Sequence, residues 1–274
     1  MFKIIDKENL NKEIVRIEIE APQIAAKANA GQFVAVVIDE KGERVPLTIA
    51  DWDAEKGTIT LIFQKVGFTT RKFGEMGVGQ ILFNVLGPLG HATRPIQSKT
   101  IICVAGGVGI AEIYPVIRLF KSEGNNVTTV IGARNKGLLI LEERISKISD
   151  KLFITTDDGS YGDKGFVTDV LEKIINGQEN AGRNIKPDLV YCVGPVMMMK
   201  AVSELTRKSG IKTIVSLNPI MVDATGMCGS CRCKVEGRTV FGCVDGPDFD
   251  GHQVDFDDLS NRLGQFKEEE KNAD

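Results

Sequence analysis

Residues Thr100-Ile-Ile-Cys-Val-Ala105 form a continuous apolar run that leads directly into Gly106-Gly107-Val108-Gly109. A strand buried on both faces of a parallel sheet has such a run, without polar alternation. The segment after the glycines repeats apolar residues at helical spacing, at Ile113, Val116, Ile117 and Phe120. The stretch therefore predicts a strand, a tight turn and a helix, which is the repeating unit of an α/β domain.

The same alternation of strand and helix continues downstream. Further strands are predicted at residues 127–131, 152–156, 189–193 and 213–216, and a second helix at residues 166–175. This order is typical of a doubly wound parallel sheet, which we place at residues 98–216.

Loops rich in glycine follow several of these strands. In doubly wound sheets, ligands bind beyond the carboxyl ends of the strands, where backbone amides and helix N-termini can approach a pyrophosphate. The fingerprint G-x-G-x-x-G is incomplete, because Glu112 stands where its third glycine belongs. No acidic residue follows the second strand, which ends at Arg134. Plain turns that need glycine for their geometry alone are the alternative interpretation.

The N-terminal third has the pattern of antiparallel β-structure. Short strands rich in β-branched residues are predicted at residues 13–20, 31–38, 57–63 and 80–86, with turn residues between them. Strands of this length and spacing indicate a small barrel or sandwich, which we place at residues 1–97.

Four of the six cysteines lie together near the C-terminus, in Asp223-Ala-Thr-Gly-Met-Cys228-Gly-Ser-Cys231-Arg-Cys233 and at Cys243. The plant-type iron–sulfur pattern is C-x₄-C-x₂-C followed by a distant cysteine. Cys228 and Cys231 match its second and third ligands, and Cys243 matches the distant one. Asp223 occupies the first position, where its carboxylate offers an anionic oxygen. This spacing favours a [2Fe–2S] cluster; a structural zinc site with Cys233 as the fourth ligand is the alternative.

Composition narrows the class of protein further. The 274 residues carry a net charge of −3, so no broad basic face for nucleic acid is expected. No apolar run is long enough to span a membrane, and the N-terminus lacks a signal-peptide core. Cys103 and Cys192 lie singly in strand-like runs. Unpaired cysteines of this kind are typical of a reducing compartment, so we expect a cytoplasmic protein.

The succession of a barrel, a nucleotide-binding domain and a cysteine loop resembles the ferredoxin-reductase-like electron-transfer subunits. This resemblance implies FAD in residues 1–97, NAD(H) in residues 98–216, and the [2Fe–2S] cluster with an acidic tail in residues 217–274. The electron-transfer subunits of dihydroorotate dehydrogenase have Cys at the position of Asp223. The small subunits of NADH-dependent reduced ferredoxin:NADP⁺ oxidoreductases are similar to this chain in having Asp there, which favours the second type.

The resemblance also implies particular cofactor-binding residues. Thr48 matches the hydroxyl that faces the flavin in the reaction, although Leu47 replaces an aromatic residue and Arg44 lies one residue early. The residues expected to bind FAD are Arg44, Pro46, Leu47, Thr48, Gln64, Val66, Gly67, Thr69 and Thr70. Those expected to bind NAD(H) are Gly106, Gly107, Gly109, Arg134, Asp157, Asp158, Gly194 and Pro195. The cluster ligands expected are Asp223, Cys228, Cys231 and Cys243.

The partners implied by the resemblance are NADH, a larger flavoprotein subunit with iron–sulfur clusters and an NADP(H) site, and ferredoxin acting through the complex. Flavin-based electron bifurcation is a further expectation. An electron-transfer subunit of dihydroorotate dehydrogenase is the near alternative, and a non-redox nucleotide-binding protein with a zinc site is the alternative of a different class. Residues 255–274 are expected to form a solvated tail.

Overall fold

The alternation of polar and apolar residues in Ile14–Glu20 produces a strand that buries Val15, Ile17 and Ile19 completely. The computed structural model describes residues 1–178 and 186–265. These fall into two compact units. One contains Met1–Thr93, Asn218–Pro247 and the chain from Asp257, and the other contains Arg94–Leu217 with Asp248–Phe256.

Seven antiparallel strands build most of the first unit, in the order β6-β1-β2-β5-β4-β3-β7. They are β1 (Phe2–Asn9), β2 (Ile14–Glu20), β3 (Phe33–Val37), β4 (Val45–Asp53), β5 (Thr58–Gln64), β6 (Ile81–Leu82) and β7 (Asn84–Leu89). Two helices, α1 (Pro22–Ala25) and α2 (Phe68–Glu75), join them. The sheet curls into a nearly closed barrel around an apolar core, which confirms the predicted barrel.

The single strand predicted at residues 80–86 is wrong. Two strands share this segment, and they have different partners: β6 pairs with β1, and β7 pairs with β3. The chain therefore changes from one edge of the sheet to the other at Phe83, which is how the barrel approaches closure. The local pattern of apolar residues cannot reveal this change, because it depends on which strand lies alongside.

The second unit is the predicted doubly wound sheet, with strand order β11-β10-β9-β8-β12-β13-β16. Its parallel strands are β8 (Thr100–Gly106), β9 (Asn126–Ala133), β10 (Lys151–Thr156), β11 (Asp163–Lys164), β12 (Leu189–Val193) and β13 (Lys212–Ser216). The helices are α3 (Gly109–Ser122), α4 (Glu142–Ile148), α5 (Val167–Ile175) and α6 (Val196–Lys208). The completely buried runs of β8 and β12 explain their lack of alternation.

The C-terminal segment adds four elements. A hairpin is formed by β14 (Arg232–Val235) and β15 (Arg238–Phe241), and β16 (Asp248–Asp250) pairs antiparallel with β13. Helix α7 (Phe256–Leu263) follows, with Phe256 and Leu259 buried. The solvated tail predicted for residues 255–274 is therefore wrong over α7, because its two apolar residues are covered. The acidic run at residues 268–270 lies outside the described residues.

Nowhere in residues 1–178 and 186–265 is there a helix both long and apolar enough to span a bilayer.

Candidate functional site

The loops after β8 and β12 lie side by side, because these strands pair with Ala105 opposite Val193. Two of the predicted nucleotide-binding glycines, Gly109 and Gly194, are needed for this closeness. A Cβ on Gly109 would lie 2.6 Å from the carbonyl oxygen of Val193, and one on Gly194 would lie 3.0 Å from that of Gly106. The glycines at these positions are thus explained by packing, as the plain-turn alternative proposed.

Gly107 differs from its neighbours. Its φ of +58° is in the left-handed region, and a Cβ built on it would meet nothing within 4 Å. The space beside it is therefore open, directly before helix α3 begins at Gly109. Backbone amides and a helix N-terminus next to open space are the features that a pyrophosphate requires. The residues here fit the expected dinucleotide, with Pro195 preceding the parallel helix α6 in the neighbouring loop.

The ends of β9 and β10 bring the remaining nucleotide candidates together. The amide of Asp157 donates to Ala133 O at 3.1 Å, and that of Asp158 donates to Arg134 O at 3.3 Å. All three candidates, Arg134, Asp157 and Asp158, are exposed. Hydrogen bonds from Ser160 lower the pKa of Asp158, so its carboxylate is ionised at neutral pH.

The sequence analysis missed two neighbours of this group. The amide of Lys136 donates to Ser160 Oγ at 2.9 Å, and its ammonium lies 4.8 Å from the centre of the Tyr161 ring. The hydroxyl of Tyr161 in turn donates to Glu142 at 2.7 Å. Lys136, two positions after Arg134, could have been recognised in the sequence as a further charged residue of this loop. Only the packing of the loops shows that it meets Tyr161.

In the barrel, strand β4 carries the residues expected to face the flavin. Leu47 is 9% exposed and belongs to the barrel core, so only its main chain is available to a cofactor. Thr48 is half-buried and pairs with Phe33, while Pro46 pairs with Ala35. Directly opposed residues in an antiparallel pair share a face. Thr48 and Pro46 therefore lie on the same side of the sheet as Phe33 and Ala35.

The segment from Gln64 to Thr70 leads into helix α2. The hydroxyl oxygen of Thr70 accepts from the amides of Val66 and Gly67 at 3.1 and 3.0 Å, which fixes the turn. A Cβ on Gly67 would meet nothing within 4 Å. Thr69 donates its hydroxyl to Glu43, and the Gln64 amide donates to Glu13 at 2.6 Å. An open helix N-terminus of this kind fits the FAD pyrophosphate that we expect here.

The cysteine loop packs on the barrel. The thiols of Cys231 and Cys243 lie 3.2 Å apart, and both are buried. They share an apolar group with Phe33, Ala35 and Ala224. Burial, with Cys231 as neighbour, raises the pKa of Cys243 to about 12. Since Phe33 and Ala35 lie opposite Thr48 and Pro46, the candidate flavin strand and the cysteine pair share one face of the barrel sheet.

Cys228 and Asp223 occupy the exposed part of the same loop. The Cys228 thiol lies 3.2 Å from Ser230 Oγ, and hydrogen bonds from the hydroxyl and amide of Ser230 lower its pKa. Asp223 accepts from Thr225 and Met227, and hydrogen bonds from Thr225 come first among the causes that lower its pKa. Arg44, expected at the flavin, donates to both the main-chain oxygen and the carboxylate of Asp223.

Cys233 has different surroundings. It is buried in strand β14, its thiol lies 3.6 Å from the carbonyl oxygen of Cys231, and burial raises its pKa to about 12. The charged groups that act on it are Arg262 and Asp258 of α7. The thiol of Cys233 is thus directed to the main chain of Cys231, whereas the thiols of Cys231 and Cys243 meet each other.

The donor set of the loop fits an iron–sulfur cluster in its chemistry. The expected donors are the thiols of Cys228, Cys231 and Cys243 and the carboxylate of Asp223, and the thiols of Cys231 and Cys243 lie 3.2 Å apart. In the described part of the chain, no three His, Cys, Asp or Glu side chains converge as metal ligands.

Two family models match separate parts of the chain. Residues 218–255 match the iron–sulfur cluster binding domain of dihydroorotate dehydrogenase B. Residues 103–204 match the oxidoreductase NAD-binding domain. The first range contains all four expected cluster ligands, and the second contains the glycine-rich loops after β8 and β12.

Similar proteins cover nearly the whole chain. A Thermotoga maritima homolog of the dihydroorotate dehydrogenase B electron transfer subunit is 43% identical, over 98% of this chain and 93% of its own. An uncharacterized protein of Clostridium beijerinckii is 46% identical, over 100% of this chain and 93% of its own. The solved structure of an NADH-dependent reduced ferredoxin-NADP oxidoreductase superposes with a TM-score of 0.92 at 42% identity, covering 100% of this chain and 96% of that one. The chain thus belongs to the ferredoxin-reductase-like electron-transfer subunits, the family that includes the electron transfer subunits of dihydroorotate dehydrogenase B.

Proposed function

We propose that this chain is the electron-transfer subunit of an NADH-dependent reduced ferredoxin:NADP⁺ oxidoreductase that carries out flavin-based electron bifurcation. The observation that carries the proposal is the similarity over the whole chain to the solved oxidoreductase, with a TM-score of 0.92. Asp223 supports it, because the dihydroorotate-type subunits have Cys at that position while the ferredoxin:NADP⁺ type resembles this chain.

Each cofactor has a proposed place on the chain. We assign FAD to residues 1–97, NAD(H) to residues 98–216 and the cluster to residues 217–274. When bound, FAD would accept two electrons from the donor and the cluster would accept them one at a time. The open space beside Gly107 would accommodate the dinucleotide. The N-terminus of α2, next to Gly67, would bind the FAD pyrophosphate. The half-buried hydroxyl of Thr48 faces the flavin.

The cluster is held by Asp223, Cys228, Cys231 and Cys243. The side chains of Phe33 and Ala35 pack against the Cys231–Cys243 pair and exclude water from it. Because Thr48 lies on the same face of the sheet, the flavin and the cluster occupy neighbouring positions within the first unit. Short separation is what single-electron transfer between them requires.

The proposed partner is a larger flavoprotein subunit with iron–sulfur clusters and an NADP(H) site, which exchanges electrons with ferredoxin. The similarity of the chain to electron-transfer subunits supports a partner that carries the terminal chemistry. We place the complex in the cytoplasm, where all six cysteines remain free thiols as they are in the structure.

The test is to purify the tagged chain anaerobically from its native host, together with whatever subunit accompanies it. The complex is expected to contain FAD, iron and acid-labile sulfide, and NADH is expected to bleach the flavin absorbance. It should also catalyse NADPH oxidation that depends on both NAD⁺ and oxidised ferredoxin. Dihydroorotate oxidation by the same complex would instead assign the chain to dihydroorotate dehydrogenase. Stoichiometric zinc without iron would contradict both assignments.

A further inference from the structure

Arg44 immediately precedes strand β4, the strand of Leu47 and Thr48. Its guanidinium reaches across to the cysteine loop, 179 residues further along the chain. The same nitrogen, Nη1, donates to the main-chain oxygen of Asp223 at 2.8 Å and to the carboxylate oxygen Oδ1. Both side chains are partly covered, with 36% of Arg44 and 23% of Asp223 exposed. Arg44 thus donates hydrogen bonds to both the main chain and the side chain of one loop residue.

The second carboxylate oxygen of Asp223 is held from within the loop. Oδ2 accepts from the amide of Thr225 at 3.1 Å, from the Thr225 hydroxyl, and from the amide of Met227 at 3.4 Å. The barrel therefore holds one oxygen and the loop holds the other. A carboxylate fixed on both oxygens has little rotational freedom, so its orientation depends on Arg44 as much as on the loop.

The residue after Asp223 shows that the loop conformation needs support. Ala224 has a φ of +64°, a left-handed conformation that is unfavourable for alanine. Its methyl group is nevertheless buried, in the apolar group with Phe33 and Cys231. Such a conformation persists only where surrounding contacts hold it. The Arg44 contacts to both parts of Asp223 lie directly beside it.

We propose that Arg44 is a positioning residue of the iron–sulfur site: it fixes Asp223 to strand β4 rather than contacting FAD. This inference rests on the proposed function, in which Asp223 is a cluster ligand. Arg44 holds Oδ1 while Thr225 and Met227 hold Oδ2, so the arginine helps to set the direction in which the carboxylate of Asp223 faces. Its positive charge beside the site also favours the more negative, reduced cluster and raises the reduction potential.

The variants that test this are Arg44→Gln, which removes the charge, and Arg44→Lys, which keeps the charge but replaces the guanidinium by an ammonium group. Arg16→Gln is the matched control. Arg16 is also a barrel arginine paired with carboxylates, Asp6 and Glu8, but these lie on its neighbouring strand. All are made in the full chain, and Arg44→Gln is made again in an Asp223→Cys background.

Hydrogen exchange of the Thr225 and Met227 amides is the first measurement, and it is compared between variants with the same iron content. Arg44→Gln is expected to accelerate their exchange several-fold, while Arg16→Gln leaves it unchanged. FAD should remain bound in both. Unchanged exchange in Arg44→Gln, or loss of its FAD, would overturn the inference even if the proposed function is right.

The second measurement is the EPR spectrum and potential of the reduced cluster. Arg44→Gln should lower the potential and alter the EPR signal, and Arg44→Lys should alter the signal with a smaller change in potential. In the Asp223→Cys background, Arg44→Gln should change the EPR signal less, because the bond to the carboxylate is absent and only the bond to the main-chain oxygen remains. An equal change of signal in both backgrounds would overturn the role through Asp223. A chain that binds zinc instead of iron would contradict the proposed function. In that case, hydrogen exchange would still show whether Arg44 holds Asp223 in place.

Discussion

At the scale of single residues, Cys231 and Cys233 show how two positions along a chain can have different surroundings. Cys231 touches Cys243 and the barrel residues Phe33 and Ala35. Cys233 lies in strand β14, and its charged neighbours are Arg262 and Asp258 of α7. Strand β14 begins directly after Cys231, so the two cysteines lie on different kinds of backbone, a loop and a strand.

The first prediction compares these buried thiols. Cys233→Ala should keep the cluster, whereas Cys243→Ala should lose it, because only Cys243 pairs with Cys231. The two residues are a matched pair, at 1% and 2% exposure.

Asp223→Ala should lose or destabilise the cluster, and Asp223→Cys should keep it with an altered EPR signal. Iron content and EPR measure all four; a cluster that survives in Asp223→Ala but not in Cys233→Ala would reverse the ligand assignment.

The second prediction separates two glycines of the nucleotide loop. Gly107→Ala places a methyl group in open space at a left-handed φ, which costs roughly 1 kcal/mol of stability. Its main effect should be weaker NADH binding, because the methyl group occupies the space proposed for the dinucleotide. Gly109→Ala should chiefly destabilise the second unit, since its Cβ would lie 2.6 Å from Val193 O. NADH titrations and urea denaturation of both variants distinguish these effects; unchanged NADH affinity in Gly107→Ala would remove that residue from the site.

At the scale of secondary structure, α7 connects to the cysteine loop through its polar side. Arg262 donates to the carbonyl oxygen of Ser230 at 3.0 Å, and Asp258 pairs with Lys234 at 3.4 Å. Its apolar side is fixed by Leu259, which is 1% exposed. A segment that the sequence analysis took for a solvated tail therefore supports the loop that carries the cluster ligands.

The third prediction tests this helix. Leu259→Ala should lower the free energy of unfolding by about 2–5 kcal/mol, the usual cost of a cavity left by a buried leucine. Asn261→Ala, on the exposed side of the same helix, should change it by less than about 0.5 kcal/mol. Denaturant titrations give both values. If the two variants proved equally mild, α7 would not be packed in solution as the structure has it.

At the scale of the whole molecule, the two compact units divide the proposed cofactors between them. The flavin strand and the cysteine loop belong to one unit, although they are far apart in sequence, and the nucleotide loops belong to the other. A ligand that binds only the folded state stabilises the unit to which it binds.

The fourth prediction follows from this division. Adding FAD to the FAD-depleted chain should slow hydrogen exchange mainly in residues 1–93 and 218–247. NADH should slow it mainly in residues 94–217, around the loops after β8 and β12. The two ligands are each other's control, and mass spectrometry resolves the peptides. Protection by NADH concentrated in the barrel strands would contradict the proposed assignment of the nucleotide.

The sequence by itself determined the features that depend on neighbouring residues. Continuous apolar runs predicted β8 and β12, because a strand buried on both faces must be apolar throughout. The spacing of Asp223, Cys228 and Cys231 indicated the cluster loop, since the ligands of such a loop follow one another closely. Gly107 was also identified from its glycine-rich turn, and the structure leaves the space beside it open.

Only the tertiary structure decided the features that join distant segments. The change of partner at Phe83, the inward direction of Leu47 and the contact of Arg44 with Asp223 all depend on which strand or loop lies alongside. Local periodicity carries no record of such neighbours, because hydrogen bonds between strands and ion pairs between loops form across the folded chain. Arg44 has the same local sequence whether it contacts a flavin or, as here, a carboxylate 179 residues away.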